Sequence, residues 1–221
     1  MSETSSLQSS DAELPAGKKS GTKKMPEWQA AVRRHSGPEF KRSVWQLVNT
    51  IGPLILLFVA MGYTVNSHYW ITLLLSIPAG LLVVRSFIIF HDCGHGSFFE
   101  SKRANHTVGT LLGVLTFTPY NDWTREHALH HAKSGDLDNR GFGDIWTLTV
   151  KEYEALPRWD KLRYRIYRSP LVLFLIGPIF VFVFRNRLTR SYTGAAGKVS
   201  VHVTNVLMVI YILGMSWAFG G

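Results

Sequence analysis

The sequence is short of charge, and the charge it has is unevenly placed. Asp, Glu, Lys and Arg make up 18% of the 221 residues, against about a quarter in an ordinary soluble domain. Between Val44 and Phe90 the one charged residue is Arg85, and beyond Arg168 there is no acidic residue. A soluble protein spreads charge over its whole surface, whereas confinement to blocks is the pattern of a chain that crosses a bilayer. Cysteine is scarce as well. The lone Cys93 excludes a disulfide framework and a cysteine-built zinc cluster. The first 43 residues hold no long apolar run, so no secretory signal is read there. Intrinsic disorder of the whole chain is excluded by a 46% hydrophobic content.

What is present falls into blocks. Residues 1–43 read as a polar, basic cytoplasmic tail, with Lys18, Lys19, Lys23, Lys24, Arg33, Arg34, Lys41 and Arg42. Such a run is the expected flank of a membrane helix, and we read it so rather than as a nucleic-acid site. Residues 44–221 read as the membrane domain. Val44–Val65 and Tyr69–Phe90 are each 22 residues, about 33 Å of helix and long enough to cross the hydrocarbon core. Together they predict a helical hairpin with both ends cytoplasmic, Arg85 snorkelling to the interface. The region 91–168 is polar and carries 11 basic and 10 acidic residues. Its apolar stretch Thr107–Tyr120, 14 residues, is too short to span. Residues 151–168 read as an amphipathic surface helix broken at Pro157. Pro170–Phe184 is short, and the basic link 185–198 follows it. The positive-inside rule therefore makes the segment re-entrant and the link cytoplasmic. Val199–Phe219 is the third expected span. The fold class is thus an all-α membrane protein with spans near 44–65, 69–90 and 199–219.

Five of the nine histidines lie in two clusters, His91-Asp-Cys-Gly-His95 and His127-Ala-Leu-His130-His131. Each residue of a helix turns by about 100°, so His91 and His95 stand about 40° apart, and His130 and His131 fall about 60° and 40° to either side of His127. Each cluster therefore presents imidazoles along one stripe, as chelation requires. The first follows a membrane-length helix with no linker, where ionisable groups are costly and usually functional. A catalytic zinc needs three protein ligands; five histidines point instead to two metals sharing ligands. A His-x-x-x-His pair beside an acid is also found in zinc proteases, an alternative that leaves the second cluster idle. His35, His68 and His106 read as tail, loop and surface, and Trp123 as an interface anchor.

His91-Asp-Cys-Gly-His95-Gly-Ser-Phe-Phe and Trp123-Thr-Arg-Glu-His127-Ala-Leu-His130-His131 resemble the first two histidine boxes of the integral-membrane fatty acid desaturases, most of all the acyl-lipid Δ12 group. The stretch from Gly143 to Tyr153 is also similar to the segment after the second box there. The resemblance implies two irons held by His91, His95, His127, His130 and His131, with O2 as co-substrate. It implies removal of two hydrogens from adjacent methylenes of an acyl chain in a membrane lipid, with electrons from ferredoxin or cytochrome b5. Glu126, Asp136 and Asp138 are then candidates to hold ligand imidazoles by their second nitrogens. Related proteins hydroxylate or ketolate with similar boxes, which is the nearer alternative. That family carries further histidines towards its C-terminus, whereas the one later histidine here is His202. The expectation is an N-terminal portion of such an enzyme, inactive as these 221 residues alone.

Overall fold

The first helix, α1 (Phe40–Thr64), turns back through a short link into α2 (Tyr69–Gly94). The computed structural model describes residues 28, 37–138, 140–141, 145–190 and 193–219; most of the tail 1–43 lies outside them. The hairpin is stitched by polar pairs where lipid offers no partner. Thr64 and Thr72 hydroxyls meet at 2.7 Å, and Arg85 Nη2 donates to Asn49 Oδ1 at 2.7 Å. Arg85 thus finds one acceptor across the hairpin, as a donor within a bilayer requires.

After α2 come α3 (Lys102–Leu115), α4 (Tyr120–Lys133), α5 (Val150–Ala155) and α6 (Arg158–Tyr167). Ser101 caps α3 by accepting from the Ala104 N–H, and Thr149 with Glu152 forms a capping box on α5. Pro157 separates α5 from α6, so the amphipathic stretch is two helices. Next runs a π-helical turn, Val172–Ile176, then α7 (Gly177–Ile179), a second π-turn, Phe180–Phe184, and a 3₁₀ turn, Arg185–Arg187. Pro178 has no N–H to give, which disturbs the i→i−4 ladder at this point. The chain finishes in α8 (Ala195–Phe219). No strand occurs among the described residues.

Among the described residues three helices are long and apolar enough to cross a membrane, Phe40–Thr64, Tyr69–Gly94 and Ala195–Ala218, and a bent pair, Arg158–Tyr167 with Val172–Arg187, would add a fourth span if it crossed as one. The three helices match the three expected spans but begin or end several residues further out. Their apolar faces are open, with Leu56 70%, Leu74 68% and Trp217 89% exposed, which suits hydrocarbon and not water. The segment 172–187 is bent by 55° from α6. Near its C-terminal end Arg185 pairs with Glu126 of α4, while Arg168, the cap of α6, borders a cleft with His130. A bend of this size suits either a broken span or a re-entrant segment.

The core lies where α2, α3 and α4 converge. Ile89, Phe90, Cys93, Phe98, Phe99, Leu112 and Tyr120 are buried together. Gly109 and Gly113 make this possible. A Cβ on Gly109 would sit 2.1 Å from the Tyr120 ring, and one on Gly113 2.4 Å from the Thr118 carbonyl oxygen.

Candidate metal centre

Helix α2 does not stop at the membrane edge. Nothing breaks it until Gly96, at φ +68°, so His91 occupies its last turn and His95 its C-cap. Box one is therefore an extension of a membrane span. Box two lies on α4, which starts behind Pro119 without a side-chain cap and is placed by packing. The Tyr120 hydroxyl donates to the Cys93 carbonyl at 2.7 Å, and burial pushes that phenol up to about 12, so it remains a donor. Trp123 fills the angle between α2 and α4. Its ring lies 4.8 Å from Phe90 and stacks on His127 at 4.3 Å and 16°. Read from sequence as an interface anchor, Trp123 is instead the backing of a candidate ligand, since α4 turns that face inward.

The two boxes meet. Nε2 of His127 lies 3.0 Å from that of His91, 3.1 Å from that of His95 and 3.0 Å from that of His131; His91 and His95 are 3.2 Å apart. All four ligand atoms fall within 4.8 Å of one another. A metal about 2.1 Å from each imidazole nitrogen sets tetrahedral edges of about 3.4 Å, close to the four separations of 3.0–3.2 Å. His91 Nδ1 donates to Asp92 Oδ1 at 3.2 Å, which turns the Nε2 lone pair towards the cluster. Burial, then neighbouring imidazoles, push His127 down to about 4 and lower His95 in the same direction. Both stay neutral, the form that binds metal.

His130 is not in this group. It stacks 6.0 Å from His127 and borders an open cleft of about 470 Å³ with Asp136, Arg140, Thr147 and Arg168. Glu126 pairs with Arg190 and with Arg185, the latter at 3.6 Å. Asp136 and Asp138 are exposed, and the Asp138 N–H donates to Asp136 Oδ1 at 3.0 Å. The acid found on a cluster imidazole is Asp92, which the sequence reading compared only with a protease base. Its adjacency to His91 was the available signal. His106 is exposed, edge-on to Tyr120, and His35 lies outside the described residues. Beside the centre, Val83, Val84, Phe87, Leu115, Thr116, Phe117 and Phe182 line an apolar cleft of about 280 Å³. Phe87 joins the two, packing 5.6 Å from Trp123. Phe117 takes φ +54°, uncommon for a residue with a side chain. Its carbonyl accepts from Asn186 Nδ2 at 3.2 Å and from Arg187.

Fold and site together define a helical membrane protein with an imidazole-only donor cluster at the end of a span. The family comparison is more specific: residues 64–221 match the fatty acid desaturase model, and the chain belongs to that family. It is 43% identical over 189 residues to a fatty acid desaturase of Bacillus subtilis (strain 168), covering 86% of this chain and 54% of that protein. It is 32% identical to the sn-1 acyl-lipid omega-3 desaturase (ferredoxin) of Synechocystis sp., covering 66% of this chain and 38% of that one. It is 30% identical to the acyl-lipid omega-3 desaturase (cytochrome b5) of Arabidopsis thaliana, covering 66% and 41%. The chain thus spans about half the length, or less, of these relatives. No solved structure matches it. Family membership and the meeting of both boxes in one cluster remove the ground for the zinc-protease alternative.

Proposed function

We propose that this protein takes part in the O2-dependent desaturation of fatty acyl chains in membrane lipids. The observation that carries this reading is the convergence of His91, His95, His127 and His131 nitrogens at the end of a membrane helix. These four would hold one iron. His130, turned to the other side of α4, would serve a second iron with ligands from elsewhere, such as the further histidines that the resemblance implies. Iron supplies the redox chemistry that breaking an unactivated C–H bond requires and that side chains lack. The chain's own residues do the rest. Asp92 fixes the His91 tautomer, and the Trp123 ring holds the His127 plane. Neutral imidazoles leave the site cationic. The cleft between Val83, Phe87, Phe117 and Phe182 offers an acyl chain a dry seat reached from the bilayer, with Phe87 and Trp123 between it and the ligands.

The boxes, the N-terminus and the link 185–198 face the cytoplasm in this reading, on the side where ferredoxin or cytochrome b5 would deliver electrons. Ser101→Cys, Ser134→Cys and Leu188→Cys should each resist an impermeant thiol reagent added outside intact cells; labelling of Leu188→Cys would reverse the topology of 172–187. The activity is tested in a chimera carrying residues 1–221 followed by the remaining C-terminal part of the Bacillus subtilis relative. Lipid analysis of expressing cells should show a new double bond. An oxygenated acyl chain would favour hydroxylation, and unchanged lipids with a folded, iron-loaded chimera would sink the reading.

A further inference from the structure

Helix α4 has a second face that the metal does not use. Asp122 and Glu126 stand about 40° apart on it, with their midline about 140° from that of His127 and His131. Both acids are drawn to one guanidinium. Arg190 Nη2 donates to Asp122 Oδ2 at 3.2 Å and its Nη1 to Glu126 Oε1. The pairs are largely withdrawn from water, with side-chain exposures of 18% for Arg190, 5% for Asp122 and 14% for Glu126. Arg190 is itself fixed in a turn, its N–H donating to Thr193 Oγ1 at 3.1 Å and its carbonyl accepting from the Thr193 N–H at 3.0 Å. The first turns of α8 close on the same face. The Asn121 N–H donates to Ser200 Oγ at 3.1 Å. A Cβ on Gly197 would sit 3.1 Å from Asp122 Oδ1, so the carboxylate lies against the N-terminal, partially positive end of a long helix.

A buried ion pair is a poor source of net stability, because desolvation offsets its attraction, but it can enforce register. Register matters acutely on α4. A rotation of about 60–100° would move His130 towards the place that His127 and His131 share. We propose that Arg190, bridging Asp122 and Glu126, is a positioning residue that sets the rotation of α4 and so selects His127 and His131 as partners of His91 and His95. This rests on the reading of those four histidines as one metal site.

Co2+ is the probe, since its visible bands report ligand number and symmetry. The 221-residue chain in detergent micelles should bind one Co2+ with nitrogen-type bands. Arg190→Gln should raise the apparent Kd by about tenfold or more and alter the bands at a temperature where circular dichroism shows the helices intact. Arg190→Lys should recover part of both, and Glu126→Gln should fall between. Arg163→Gln, altering an exposed pair with Asp160, should change neither. If Arg190→Gln fails to fold, Glu126→Gln carries the test. Unaltered bands and a Kd within twofold of the parent, even with a lowered melting temperature, would reduce Arg190 to a structural role and overturn the proposal. Failure of the parent chain to bind Co2+ would overturn both this proposal and the four-histidine site beneath it.

Discussion

The two histidine boxes place like chemistry by unlike means. Box one inherits its position from α2: a helix that begins at Tyr69 runs on past Pro78 through His91, and His95 is its cap. Box two sits on α4, a helix of 14 residues without a side-chain cap, too short to be stable alone. It is held by stacking on Trp123, by the Tyr120 bond to Cys93 and by arginines that arrive more than fifty residues later. The comparison teaches that half of the centre is encoded locally and half is assembled by tertiary contact. Mutations should divide accordingly.

The largest effects are expected at the nitrogens. His91→Ala, His95→Ala, His127→Ala or His131→Ala should each weaken Co2+ binding by the 221-residue chain by about 100-fold, removing one donor of four. His130→Ala should leave that one-ion affinity within a few-fold while abolishing product in the chimera. Equal loss of affinity for His130→Ala would erase the distinction between the two sides of α4.

Next come changes that press on box two through its packing. Gly113→Ala places a methyl against the Thr118 carbonyl and should cost about 1–3 kcal/mol of stability, seen as a lower melting temperature in micelles. Gly94→Ala puts a methyl 2.9 Å from the Trp123 ring. It should tilt the ring that backs His127 and weaken Co2+ several-fold, with little change in melting. An unmoved affinity would show that α4 does not depend on that ring.

Box one should respond to its carboxylate. Asp92→Asn keeps the shape but accepts less strongly from His91, and should lower metal affinity or chimera activity by about tenfold. The smallest effect belongs to a latch away from both boxes. Hydrogen bonds from Arg140, then those from Thr149, hold the Glu152 carboxyl down to about 2. Its contribution is therefore present above its unfolded value of 4.5 and is lost as pH falls towards 2. Glu152→Gln should lower the melting temperature slightly at pH 7. The difference from the parent should shrink below about pH 4.5, while Co2+ affinity stays put.

The three spans were legible because uncharged runs of membrane length have few other uses, and the boxes because five histidines sat on two helical stripes. The division of labour among the histidines was not legible. Spacing alone set His130 and His131 on either side of His127, and only the rotation of α4 decides between them. That rotation depends on Asp122 and Arg190, 68 residues apart, a pairing that no local pattern announces. Trp123 was misjudged because an aromatic beside a polar region suits an interface as well as a packed wedge. Gly109 and Gly113, four apart in an otherwise apolar stretch, were the readable sign of close helix approach.

The most direct test of the account is iron X-ray absorption on the 221-residue chain loaded anaerobically with one equivalent of Fe2+. A single site built by both boxes predicts a nitrogen first shell at about 2.1 Å with the outer scattering of four imidazoles. That number should drop to three on loss of His91, His95, His127 or His131 and stay at four in His130→Ala. An oxygen-dominated shell, or one that does not change when a box-two histidine is removed, would contradict it.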